Sequence, residues 1–217
     1  KGLNLDDFDG VAWTGSLLNI YDMTHSIVNQ IELAKALFKK NIKIFGSCWG
    51  LHVLVTAAGG KIRKNPRGLE AVVAKNIKIN SKGLAHNIYK GKNKIFDAFC
   101  WHYDETETLP ENAIVLSSNQ MSSVQSICFK KEKSSIWAVQ YHPEFDPAWI
   151  AGLMNQREAI LLKEKVFESK KHFEKQKDFF MNFNKPIFSE SLTNYNDLTN
   201  TNYHTLELAN WINEFKN

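Results

Sequence analysis

Gly46-Ser47-Cys48-Trp49-Gly50 reads as glycine, any residue, nucleophile, any residue, glycine, the form of a sharp strand-to-helix turn that holds its middle side chain outward. The glycines let the backbone crowd together at such a turn. Cys48 is the middle residue, and its sulfur would lie at a helix N-terminus, where the dipole and free N–H groups favour thiolate, the reactive form. The same groups, that of Trp49 among them, can bind an oxyanion. A lone cysteine is more commonly a buried packing residue; the β-branched run before this one and the helical pattern after it favour the reactive reading. Attack on an amide requires a proton-transfer partner. His142 is the candidate, at the end of the run Ile136 to Tyr141 and before Pro143, which stops a strand. Residues two apart in extended chain point the same way, so Glu144 can reach back and fix the tautomer of His142. Alone, His-Pro-Glu fits a surface turn equally well; with the elbow it completes a nucleophile, base and orienting acid.

These residues need elements to carry them. Val11 to Trp13 reads as a buried strand, followed by a turn through Thr14, Gly15 and Ser16 and a helix with apolar Ile27, Ile31, Ala34 and Phe38. The unit repeats: a strand over Ile42 to Phe45, the turn Gly46 to Gly50, a helix over Leu51 to Ala58 and a stop at Gly59-Gly60. Such alternation predicts an α/β fold with an open, mostly parallel sheet flanked by helices. Strands at Ala71 to Ala74, Ile95 to Phe99, Ile114 to Leu116, Val124 to Phe129 and Ile136 to Tyr141 follow, some of them forming a small antiparallel extension. A helical pattern with Ile150, Leu153, Ile160 and Leu161 apolar continues to about Phe180, its Lys/Glu content a solvated face. An Asn-, Ser- and Thr-rich connector from Asn182 to Asn202 leads to a closing helix with Leu208, Trp211, Ile212 and Phe215 on one side. Ligand sites in open α/β sheets gather beyond the carboxyl ends of strands, and Gly15, Cys48 and His142 each follow a predicted strand. On one sheet edge, Gly15 could offer a backbone N–H to an oxyanion beside that of Trp49; an ordinary turn explains Gly15 as well.

Composition narrows the class. With 217 residues, 43% hydrophobic and 12% aromatic, the chain can bury one substantial core. Its net charge of +4 arises from scattered residues, with no basic tract interleaved with aromatics, so nucleic acid is not an expected partner. Cys48, Cys100 and Cys128 are far apart in sequence, which argues against a disulfide framework and a structural metal and fits a reducing cytoplasm. No apolar run is long enough for a bilayer, and Lys1 to Asp9 lacks the apolar core of a signal peptide, so no membrane association is expected. Because Lys1 leads almost at once into a strand-like run, an N-terminal segment is expected to be missing. Cys100 and Cys128 read as packing residues, and His25, His86, His172 and His204 as incidental.

The set Gly46-Ser47-Cys48-Trp49-Gly50-Leu51, Val139-Gln140-Tyr141-His142-Pro143-Glu144 and Asp9-Gly10 through Thr14-Gly15-Ser16 resembles class I glutamine amidotransferases. Within that family it is similar to stand-alone proteins like the amidotransferase domain of GMP synthase. Asn65-Pro66-Arg67-Gly68 and Trp101-His102-Tyr103-Asp104 look like that subgroup, and Glu207 to Trp211 resembles its ending more loosely. The resemblance implies a flavodoxin-like fold, with the amidotransferase domain over residues 1–147, its first strand, helix and strand lacking, and a helical extension over 148–217 packed on it. It implies hydrolysis of the γ-amide of glutamine through a cysteinyl thioester, releasing ammonia and glutamate, without metal or organic cofactor. Trp101, His102 and Tyr103 would line the glutamine pocket, mainly through main-chain groups; for His102 a structural role is the equal alternative. Two positions depart from the family. His52 stands where a Gln usually contacts bound glutamine, and Thr14-Gly15-Ser16-Leu17 replaces a Gly-Gly-Pro loop. No nucleotide-binding loop is present to activate an acceptor with ATP, and the identity of a synthetase partner stays open. The alternatives are a γ-glutamyl peptide hydrolase, since His52 could reshape the pocket, and a non-catalytic binding subunit.

Overall fold

The computed structural model describes residues 4–183 and 196–216. Its strands are β1 (Gly10–Trp13), β2 (Lys43–Ser47), β3 (Lys61–Lys64), β4 (Glu70–Ile79), β5 (Ile95–His102), β6 (Asp104–Thr108), β7 (Ile114–Ser118), β8 (Ser126–Lys131) and β9 (Ser134–Val139). Its helices are α1 (His25–Phe38), α2 (Trp49–Ala57), α3 (Ser81–Leu84), α4 (Pro147–Gln156), α5 (Glu158–Lys163), α6 (Lys170–Asn182), α7 (Asn196–Thr199), α8 (Thr201–His204) and α9 (Leu206–Asn213).

A seven-stranded sheet runs in the order β1-β2-β9-β8-β7-β4-β5. The pairs β1/β2 and β2/β9 are parallel, with Ile44 opposite both Val11 and Ile136. The other pairings in the sheet are antiparallel. The α/β sheet flanked by helices is thus as the sequence predicts, and its antiparallel extension reaches further than the small one expected. β2 lies between two parallel neighbours and is buried from Ile44 to Ser47, which is why it reads as a continuous run without alternation.

Three cores seat these elements. On one face Ile44, Ile127 and Ile136 meet Ile27, Ile31, Ala34 and Phe38 of α1 and Leu51 and Leu54 of α2. The i, i+4, i+7, i+11 spacing in α1 puts its apolar residues on one stripe. The opposite face buries Phe45, Val139 and Tyr141 against Trp211 of α9, with Leu208 and Phe215 partly buried beside them. The third core packs Phe99 and Trp101 at the end of β5 against Ile150, Met154, Phe173 and Phe180.

Several expectations change. β3 and β6 form an additional two-stranded antiparallel sheet; both are rich in charge and carry no apolar alternation, and their pairing is marked by Arg63 and Glu105 at 2.8 Å. β5 extends to His102, so Trp101 and His102 are strand residues and not a loop. The long helix expected to Phe180 is broken into α4, α5 and α6, with Lys165 at φ +55° between the last two. Residues 184–195 of the expected connector lie outside the described residues, and its end is helical in α7 and α8. Ile212 is exposed, away from the apolar side of α9. Among the described residues no helix is long and apolar enough to cross a membrane.

Candidate active site

β2 ends at Ser47 and α2 begins at Trp49, leaving Cys48 alone in the turn at φ +49°, ψ −101°. Backbone in this region is strained for an L residue and persists only when its surroundings impose it. Here they do. A Cβ on Gly46 would fall 2.8 Å from the carbonyl carbon of Gly50, and one on Gly50 would fall 2.2 Å from the Trp13 carbonyl oxygen. The Cys48 N–H donates to Val139 O at 2.8 Å, tying the turn to β9. The buried sulfur lies 3.5 Å from the Trp101 carbonyl oxygen.

Beyond β9, the His142 N–H donates to Phe99 O at 2.7 Å. The imidazole is electrostatically coupled to Cys48, and its Nδ1 lies 2.8 Å from Glu144 Oε1. That same oxygen accepts from Ser47 Oγ at 2.8 Å. Burial alone would push the imidazole down, but its interactions with Cys48 and then with Glu144 outweigh it and raise His142 to about 9. Burial favours the neutral form of Glu144, and His142 reverses this, holding the carboxyl below its usual value. Phe145 stacks on the imidazole with centroids 3.8 Å apart and planes within 6°. A Cβ on Gly15 would meet His142 Cε1 at 2.5 Å, so the loop after β1 abuts the ring. Gly15, Cys48 and His142 follow three neighbouring parallel strands at one edge, with Trp49 opening the adjoining helix.

A cavity of about 240 Å³ opens over Cys48, and its lining includes His52, Trp101, His102 and Tyr103. Ser16, Leu17, Asp104 and Arg157 share the wall. His52 Nε2 meets Gln140 Oε1 at 3.0 Å, and desolvation lowers the ring to about 4, so it is neutral near pH 7. His102 has both nitrogens engaged, with Asp104 O and Glu70 Oε2 each at 2.9 Å. It lines the cavity while held in place, which favours the structural alternative for its ring. His204 is more than incidental: it is buried, and its Nδ1 lies 3.3 Å from Pro143 O, inside the His142–Glu144 turn. His86 Nδ1 likewise accepts from the Ile88 N–H. Cys100 is fully buried in the second core and Cys128 packs at its edge. Among the described residues no group of three or more His, Cys, Asp or Glu is placed to hold a metal ion.

Sequence reasoning overlooked Ser47, Arg157 and Phe145. Ser47 finds its acceptor 97 positions away, and Arg157 reaches the cavity from the α4–α5 junction, so no local spacing reports either. Phe145 was within reach, as the residue after His-Pro-Glu.

The family model for glutamine amidotransferase class-I matches residues 5–151. The chain is 30% identical over 217 aligned residues to the γ-glutamyl-L-1-hydroxyisopropylamide hydrolase of a Pseudomonas species, covering 97% of this chain and 73% of that one. It is 32% identical over 104 residues to the glutamine-hydrolysing GMP synthase of Thermosipho africanus, covering 48% of this chain and 19% of that one. Among solved structures, a glutamine amidotransferase from Thermotoga maritima shares the fold with a TM-score of 0.68 at 16% identity, covering 96% of this chain and 80% of that one.

Proposed function

Since the chain belongs to the class-I glutamine amidotransferase family, we propose that it hydrolyses the γ-amide of glutamine or a related γ-glutamyl compound, with Cys48 as nucleophile, His142 as acid and base, and Glu144 as the orienting acid. The observation that carries this reading is one imidazole held by Glu144 at the sheet edge where Cys48 follows the neighbouring parallel strand, and coupled to that side chain. In the first half-reaction the Cys48 sulfur bonds to the acyl carbon, and negative charge gathers on the carbonyl oxygen, where the N–H groups of Gly15 and Trp49 would receive it. The C–N bond then breaks with its electron pair on nitrogen, which takes a proton from His142 and leaves as ammonia or an amine. In the second, a water molecule gives a proton to His142 and bonds to the acyl carbon of the thioester, the C–S bond breaks, and glutamate is released. No step calls for a metal or cofactor.

The γ-glutamyl group would occupy the cavity over Cys48, against Trp101, His102 and Tyr103. His52, neutral where the family usually carries Gln, offers a ring nitrogen without adding a charge. The likeness to a γ-glutamyl amide hydrolase over 97% of the chain favours substrates wider than glutamine. The shorter likeness to GMP synthase admits a synthetase on another polypeptide as acceptor of ammonia. Purified protein should release glutamate from glutamine or a γ-glutamyl peptide, and Cys48→Ser should abolish release; persistence in that variant defeats the assignment. A non-catalytic binding subunit would instead leave Cys48 unlabelled by a glutamine-analogue electrophile.

A further inference from the structure

A second cavity, of about 480 Å³, adjoins the one over Cys48. It is lined by Gly15, His142 and Glu144 but not by Cys48, whereas the first is lined by Cys48 but not by His142. The two share Ser16, Leu17, Trp101 and Arg157. We propose that this second cavity is the leaving-group site, and that the amide hydrolysed carries a large apolar substituent on its nitrogen. The proposal rests on the roles given above to Cys48 and His142.

The geometry of amide cleavage points there. With the carbonyl carbon at the Cys48 sulfur, the glutamyl chain and the amide nitrogen leave that carbon in different directions. The nitrogen must come within hydrogen-bond reach of His142 to be protonated. Its substituent therefore continues into the cavity onto which His142 opens. Ammonia has no substituent, and a molecule of its size fills only about 30 Å³ of liquid. The walls match an apolar group. Phe145 lies flat on the His142 ring, and Trp149 lies 3.8 Å from Phe145 between centroids. Leu153 and Leu17 add aliphatic surface. Trp149 is 50% and Leu17 63% exposed, so apolar area stands in water that a bound substituent would cover. Two acids of this wall are engaged already: Asp146 Oδ1 accepts from the Trp149 N–H at 2.7 Å, and Glu144 holds His142. Such a substituent could belong to a simple amine or to an apolar amino acid, whose carboxylate Arg157 would face.

The test compares kcat/KM for glutamine, γ-glutamylbenzylamide and γ-glutamylphenylalanine with wild-type protein, Trp149→Ala and Trp149→Phe. At least one substituted amide should exceed glutamine tenfold or more, within the roughly 10- to 200-fold range of discrimination by a hydrophobic pocket. A preference confined to the benzylamide identifies an amine, and one confined to the dipeptide an amino acid. Trp149→Ala should cut the preference about tenfold, while Trp149→Phe keeps most of it. Wild-type protein should also be inhibited by benzylamine or phenylalanine at concentrations where ammonium has no effect, a readout that needs no variant. Glutamine turned over as well as both substituted amides, or a preference indifferent to Trp149→Ala, overturns the proposal. Absence of hydrolysis on all three substrates would strike the catalytic reading itself.

Discussion

Glu144 Oε1 receives hydrogen bonds from both Ser47 and His142, while its Oε2 is buried without a partner. The hydrogen bond between Glu144 and the imidazole thus rests on one oxygen. His142 is raised from its ordinary 6.5 to about 9, so the imidazolium proposed to protonate the leaving nitrogen is present below that pH and lost above it. The rate should fall as pH rises through about 9, and Glu144→Gln should move this basic limb to lower pH, read from kcat/KM profiles of the two proteins. The sign for stability is the same: a group raised on folding contributes fully below its unfolded value and loses that contribution as pH passes the folded one. Ser47→Ala removes one of two bonds to the orienting oxygen, and kcat should drop about two- to tenfold with little change in KM, in line with one hydrogen bond. An unchanged kcat would show that His142 alone suffices to hold the carboxylate. Cys48, His142 and Glu144 were legible in the sequence because each sits in a short pattern whose spacing fixes direction; Ser47 was not, since nothing near it indicates an acceptor beyond β9.

The elbow depends on two elements approaching closer than side chains allow. Gly50→Ala would set a Cβ 2.2 Å from the Trp13 carbonyl oxygen, backbone against backbone, and should lower stability by about 1–3 kcal/mol or more, as overpacking does. Gly152 in α4 has nothing within 4 Å of an added Cβ, and Gly152→Ala should raise stability by about 0.5–1 kcal/mol through helix propensity. Thermal melts of the pair would separate close approach from propensity; equal shifts would refute the packing argument. The strand-helix alternation around this elbow was readable from apolar periodicity. β3 and β6 were not, because Lys61–Lys64 and Asp104–Thr108 carry the signature of surface loops and become strands only by pairing with each other. The breaks among α4, α5 and α6 escaped notice for the opposite reason, since the apolar period runs through them while the helices pack separately against Phe99 and Trp101.

One buried ion pair ties the end of the described chain to the sheet. Lys92 and Glu207 lie 2.9 Å apart with side chains 1% and 0% exposed. Tyr141 donates its hydroxyl to Glu207 Oε1 at 2.7 Å, and Lys92 donates to Tyr203 O at 3.0 Å. Breaking a buried pair leaves one charge uncompensated, so Glu207→Leu should cost about 3–5 kcal/mol, whereas replacing both partners by apolar residues is often close to neutral. Denaturant melts of Glu207→Leu, Lys92→Met and the double variant check this, and a double variant no better than the singles would contradict it. Because Tyr141 precedes His142, and the buried His204 contacts Pro143 O, α8 and α9 hold the turn that carries the imidazole.

From residues alone came the cysteine elbow, the imidazole with its acid, and the parallel strands that bring them to one edge. Each is a local matter: the period of apolar residues sets which face is buried, and a glycine or proline sets where an element stops. The joining of Cys48 to His142 across β2 and β9, the fixing of His102 by Glu70, the pairing of Lys92 with Glu207 and the division of the site into two cavities depended on strand order and packing. Partners separated by tens to more than a hundred positions share no period, and their distance is set by how the whole sheet closes and which helices cover it.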